Sequence, residues 1–228
     1  MIRVLLKIIF IAASVHAVVS TAHADYIGGM VRYDLGDYVG AFNELKSSAE
    51  QGVASAQYLL GFMYERGQGV QQDSNEAVRW YQRAAAQGVD KAQHNLGALY
   101  ANGDGVAQDY VQAARWFKSA ADQGLANAQF YLGNLYAKGS GVPQDYVAAA
   151  KWYHKASEQG VVDAQFYMGI MYSHGIGVKR DYLLAYKWIA LAAAKGLSVA
   201  QQVKEIIAAT MTPAQISEAQ RMVQEWQP

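Results

Sequence analysis

The side chains best equipped for catalysis or metal binding are His94, His154 and His174, and their spacing decides against both roles. None stands in a His-x-x-x-His pair or at ligand spacing from a carboxylate cluster, so no metal site is expected. The glycine pair Gly67-Gln68-Gly69 lacks the third glycine, the Lys-Ser/Thr dipeptide and the preceding strand of a phosphate loop, and reads as a turn. No Ser-x-x-Lys and no Gly-x-Ser-x-Gly elbow occurs, which removes the familiar activated serines. The chain has no cysteine, so thiolate zinc and iron–sulfur sites are excluded and stability must come from packing. Nineteen bases against nineteen acids, scattered over 228 residues, offer no basic track to nucleic acid. These readings predict a protein that is not an enzyme, needs no cofactor and works by binding.

The residues that could bind are aromatic. Tyr58, His94, Phe130 and Phe166 recur every 36 residues, and rings give a large contact area with little entropy to lose.

The same period governs the whole chain and defines the elements that must hold these rings. Gly61, Gly97, Gly133 and Gly169 align, as do Tyr64, Tyr100, Tyr136 and Tyr172, then Trp80, Trp116, Trp152 and Trp188, then Gly88, Gly124, Gly160 and Gly196. Ala56, Leu60, Met63 and Tyr64 fall at helical spacing, and Ala77, Trp80, Tyr81, Ala84 and Ala85 do so again after a loop. Each unit is therefore a helix hairpin. Its joint, Gly67 to Asp73, pairs glycines that tolerate positive φ with an aspartate able to cap the second helix, and Asp73-x-x-Glu76 suggests a capping box. Gly88 followed by Val89 suits a left-handed stop with an apolar residue folding back. Gly61 sits mid-helix at a propensity cost of about 1 kcal/mol, which implies a neighbour too close for a Cβ. One hairpin cannot bury its apolar face alone, so the units must stack, with the tryptophan column expected to supply most of the burial.

The pattern Ala56-Gln57-x-x-Leu60-Gly61-x-x-Tyr64-x-x-Gly67-x-Gly69-Val70-x-x-Asp73-x-x-x-Ala77-x-x-Trp80-Tyr81-x-x-Ala84-Ala85-x-Gln87-Gly88 resembles the Sel-one-like repeat, a relative of the tetratricopeptide repeat. The resemblance implies an all-α, right-handed α-solenoid of helix hairpins with capping helices. Four copies span 53–88, 89–124, 125–160 and 161–196. Residues 25–52 read as a truncated tetratricopeptide-like repeat with a collapsed joint at Tyr33 to Gly36. Residues 197–228 read as a degenerate repeat and a capping helix, opened by Thr212-Pro213-x-Gln215 and amphipathic through Ile216, Ala219, Met222, Val223 and Trp226. Some cysteine-rich relatives in this family are described as penicillin-binding or β-lactamase-like, but this chain lacks both their cysteines and a serine motif. The family implies instead a scaffold or adaptor for protein partners.

The N-terminus gives the compartment. Arg3 and Lys7 precede an apolar stretch from Ile8 to Val19 that ends at Ala22-His23-Ala24, the pattern of a secretory signal peptide over residues 1–24 cut before Asp25. Cleavage would leave 17 bases to 19 acids, a net charge of −2, in the periplasm or outside the cell.

In tetratricopeptide-like stacks the first helices line a concave groove, and positions outside the repeating columns are free to specify a partner. Counting away from the core face selects Tyr58, Phe62 and Arg66, then Lys91 and His94, then Asn127, Phe130, Asn134 and Lys138, then Phe166, Ile170 and His174. Rings interleaved with amides and cations suit a peptide or helix of an envelope protein. Stacking on cell-wall glycan is the alternative, and packing of the rings between repeats is the structural one.

Overall fold

The computed structural model describes residues 21–227, and every regular element among them is a helix. Most of the expected export segment lies outside the described residues. The chain divides into two compact units, one ending at Gln108 and one beginning at Asp109. The first holds α1 (21–34), α2 (Tyr38–Glu50), α3 (Ala54–Arg66), α4 (Ser74–Ala86) and α5 (Asp90–Asn102). The second holds α6 (Tyr110–Asp122), α7 (Ala126–Lys138), α8 (Tyr146–Glu158), α9 (Val162–His174), α10 (Tyr182–Ala194), α11 (Ser198–Ala208) and α12 (Pro213–Glu225). Helices pack in the expected hairpins, α3 on α4, α7 on α8 and α9 on α10. The fold is an all-α solenoid.

The joints form as the sequence requires. Gly67 ends α3 in the left-handed region at φ 66°, and the Asp73 carboxylate accepts from the backbone N–H groups of Asn75 and Glu76. The Val89 N–H returns to the Ala84 carbonyl across a left-handed Gly88. The box expected at Asp73 and Glu76 is only half made, because the Glu76 carboxylate pairs with Arg79. At Thr212 and Gln215 both halves form. The second joint glycine meets a further demand, since a Cβ on Gly69 would overlap the Tyr38 carbonyl at the start of α2.

The mid-helix glycines are packing glycines. A Cβ on Gly61 would lie 2.8 Å from the Tyr81 ring, and one on Gly133 would lie 2.7 Å from the Tyr153 ring. Gly29 in α1 faces Leu45 in the same way, so the N-terminal hairpin keeps this contact despite its shortened joint. Tyr81, Tyr153 and Ile189, opposite Gly61, Gly133 and Gly169, lie in the deepest layer at 0–2 % exposure, and Phe117 is buried as deeply. This corrects the expectation for the tryptophans. Trp80 and Trp188 are buried, but Trp116 and Trp152 are only half-buried, while the large side chain next in sequence is buried in every case.

A column of buried glutamines joins successive hairpins. Gln57 Nε2 donates to the Ala49 carbonyl at 3.0 Å while its Oε1 accepts from Gln87, and Gln129 does the same with Ala121 and Gln159. Gln165 donates to the Ser157 carbonyl, but its Oε1 is buried without a partner, because Lys195 stands where the donor glutamine would be.

At the C-terminal end α12 packs on α10, with Ala219 buried and the Trp226 ring edge-on to Trp188 at 6.3 Å. At the N-terminal end Ile27 and Val31 of α1 and Leu35 in the turn after it are exposed. The buried Ser48 hydroxyl donates to the Ala22 carbonyl at 2.7 Å, so cleavage before Asp25 would remove its acceptor.

Candidate functional site

The outward faces of the first helices differ between the two units. In the first unit Tyr58 is half-buried against Tyr81, with ring centroids 5.9 Å apart. Phe62 is half-buried beneath the Arg66 guanidinium at 5.5 Å. The Tyr81 hydroxyl donates to the Glu65 carboxylate at 2.6 Å and accepts from the Asn95 amide at 2.9 Å. Burial and the Glu65 bond both hold the Tyr81 hydroxyl protonated, raising its pKa. Lys91 is exposed, and His94 is half-buried, where desolvation lowers its pKa. The polar groups of this face thus largely satisfy one another.

In the second unit the same helix face is aromatic. Phe130 touches Tyr131, Tyr153 and Tyr167, with centroids 5.5, 5.8 and 6.1 Å away, and Phe166 meets Tyr167 at 5.9 Å. Two rings of the deep layer stack outward from beneath, Phe117 on Tyr131 and Tyr153 on Tyr167, each at 5.3 Å and nearly parallel. The Tyr153 hydroxyl donates to Asn134 at 2.6 Å, while Asn127 and Lys138 are exposed. Ile170 and His174 line a cleft of about 530 Å³ with Arg180, Val203 and Ile206. The His174 ring is held by the Ile170 carbonyl and the Ser173 hydroxyl.

The structure therefore joins Phe130 to Phe166 through Tyr167, and it places both phenylalanines half-buried against core residues. The rings that reach solvent are Tyr131 and Tyr167, 44 % and 43 % exposed, which the residue count passed over. Their signal was available as a second aromatic column one residue after the first. Ile206, 67 % exposed and 36 residues after Ile170, was likewise missed, because the altered Lys204 and Glu205 columns hid the register of α11.

Among the described residues no three His, Asp or Glu side chains converge to hold a metal. No described helix is long and apolar enough to cross a membrane. A face of stacked rings, amides and a few cations can hold another surface.

Comparison with known proteins now gives the family. The Sel1 repeat matches residues 54–89, 90–125, 126–161 and 162–197. The chain belongs to the Sel1 repeat family. Among solved structures, this Sel1 repeat protein is similar to c5321, a protective antigen of uropathogenic Escherichia coli strains with an SLR fold. The two are 35 % identical with a TM-score of 0.80, over 90 % of this chain and 46 % of that one. It is also similar to a Sel1 repeat protein from Oxalobacter formigenes, 32 % identical with a TM-score of 0.77, over 86 % of this chain and 84 % of the other. A 39-residue stretch is 51 % identical to part of the chitin synthase regulator SKT5 of Malassezia restricta, covering 17 % of this chain and 3 % of the regulator. The chain thus spans under half of the E. coli antigen and a small fraction of the fungal regulator. Sel1 repeat proteins generally mediate protein–protein interaction and form a non-catalytic scaffold family.

Proposed function

We propose that this Sel1 repeat protein is an exported, non-catalytic scaffold of the bacterial envelope that binds a peptide or helix of a protein partner along its first helices. The observation that carries the reading is the aromatic face of the second unit, where Tyr131 and Tyr167 stand in solvent, each stacked on a ring of the deep layer. Rings held from behind lose little freedom on binding, and Asn127 and Lys138 beside them can meet a partner's polar groups. Ile170, His174 and Ile206 extend the face into the adjoining cleft. The first unit, with Tyr58, Phe62, Arg66, Lys91 and His94, gives the weaker hold. Export rests on the charged and apolar start of the sequence and its Ala-x-Ala site.

A photo-crosslinking residue at position 131, compared with one at exposed Arg79, tests the groove in cells. A discrete protein adduct at 131 and none at 79 is expected, and equal labelling at both positions would refute the proposal. Co-sedimentation with purified cell wall that is lost on Tyr131→Ala and Tyr167→Ala would instead favour the glycan reading. Mass spectrometry of the periplasmic fraction should find Asp25 as the first residue, and an intact Met1 would refute export by cleavage.

A further inference from the structure

A second candidate surface lies on α8, away from the aromatic face. Its cleft of about 580 Å³ has an apolar lining from Trp152, Met168, Tyr172 and Val178, with Lys151 and Lys155 alongside. It shares no lining residue with the first-helix face described above. Neither lysine forms an ion pair among the described residues, and Lys155 Nζ lies 4.2 Å from the centre of the Trp152 ring. His154 also lines the cleft and lies 3.9 Å from Glu158, which is not part of the lining.

The repeat shows what fits such a place. One period later, Leu184, Trp188 and Leu191 belong to an apolar cluster joined by Val223 and Trp226 from the α12 end of the chain. Trp188 is 1 % exposed there. The matching positions on α8 are Ala148, Trp152 and Lys155, all in the cleft lining, and Trp152 is left half-buried. Alanine for leucine makes the place roomier, and lysine for leucine makes it cationic. Arg221 of α12 binds both Glu218 and Glu225, so the chain's own capping helix keeps its acids occupied. The backbone around the cleft is committed to helices and a joint, leaving no strand edge for an extended peptide to extend.

We infer that the cleft on α8 is a second docking surface, for an acidic amphipathic helix of a protein partner that lays an aromatic side chain on Trp152 and sets carboxylates against Lys151 and Lys155. Occupied together with the first-helix face, it lets one chain hold two partners.

The test uses the full chain and a 15-residue alanine-based helical peptide with one tryptophan flanked by glutamates three and four residues away. Two control peptides have lysine for every glutamate or alanine for the tryptophan. A fourth arm is phosphatidylglycerol vesicles. The acidic tryptophan peptide should bind at least tenfold more tightly than either control by fluorescence anisotropy. Lys151→Glu with Lys155→Glu should weaken it at least tenfold with an unchanged melting temperature, and Tyr131→Ala with Tyr167→Ala should leave it unaltered. No binding, equal binding of the lysine peptide, or charge reversal that abolishes vesicle binding but spares the peptide would overturn the inference.

Discussion

The first helices of the two units share a backbone and face solvent with different chemistry. Where the first unit has Leu59 and Asn95, the second has Tyr131 and Tyr167, and where the first has Tyr58 and His94, the second has Phe130 and Phe166. The first unit ties Glu65, Tyr81 and Asn95 together and covers Phe62 with Arg66. The second leaves two stacked tyrosines and Ile206 in water. Behind both faces the columns are alike, a glycine against a ring and a glutamine across the hairpins. Stability is therefore placed in the shared columns, and the outward positions are free to differ.

That division can be broken most sharply at the deep layer. Tyr81→Ala and Tyr153→Ala should each cost about 3–5 kcal/mol in urea unfolding, one in each unit, since both rings are buried against a glycine. A large loss in one unit and none in the other would show that the columns are not equivalent. Gly133→Ala comes next, at about 1–3 kcal/mol, because the new methyl would push the Tyr153 ring out of place. Lys195→Gln should raise stability by about 0.5–1.5 kcal/mol by giving the buried Gln165 Oε1 a donor, read as a higher melting temperature. An unchanged or lower value would mean that the missing link has no energetic weight.

The smallest effect concerns pH, and it distinguishes the first unit, which has His94 where the second has phenylalanine. Desolvation lowers the folded pKa of His94 below the ordinary value of about 6.5. The unfolded chain then binds more protons in the window between the two values, so stability rises with pH through it. The contribution is complete above about 6.5 and is lost as pH falls toward the folded pKa. His94→Gln should flatten the acid side of the profile in the first unit, and an unaltered profile would contradict this.

Much of this architecture was legible in the chain because it is written four times. The glycine and aspartate of each joint, the left-handed stops and the packing role of Gly61 follow from local stereochemistry repeated at a fixed period. What periodicity could not give is depth, which depends on what lies on the other side. Trp152 and Trp188 are the same residue in the same column, yet one is half-buried and the other covered by Trp226. The demand that the Tyr38 carbonyl places on Gly69 and the link from Gln57 to the Ala49 carbonyl both cross between hairpins, and no helical wheel displays them. The most exposed rings of the candidate face, Tyr131 and Tyr167, lie one residue after Phe130 and Phe166 for the same reason. Phe130 and Tyr131 are adjacent on α7, and the packing of the neighbouring helices leaves Phe130 half-buried and Tyr131 in water.

We propose that the outward rings of the second unit hold the partner more strongly than the equivalent positions of the first. This is tested most directly by isothermal titration of the partner crosslinked at position 131 against two double variants. Tyr131→Ala with Tyr167→Ala should weaken affinity at least tenfold with less than about 1 kcal/mol lost in stability, as expected of half-exposed side chains. Leu59→Ala with Asn95→Ala should leave affinity within about twofold, a change of roughly 0.4 kcal/mol. Equal loss from both pairs, or none from the tyrosines, would contradict the account.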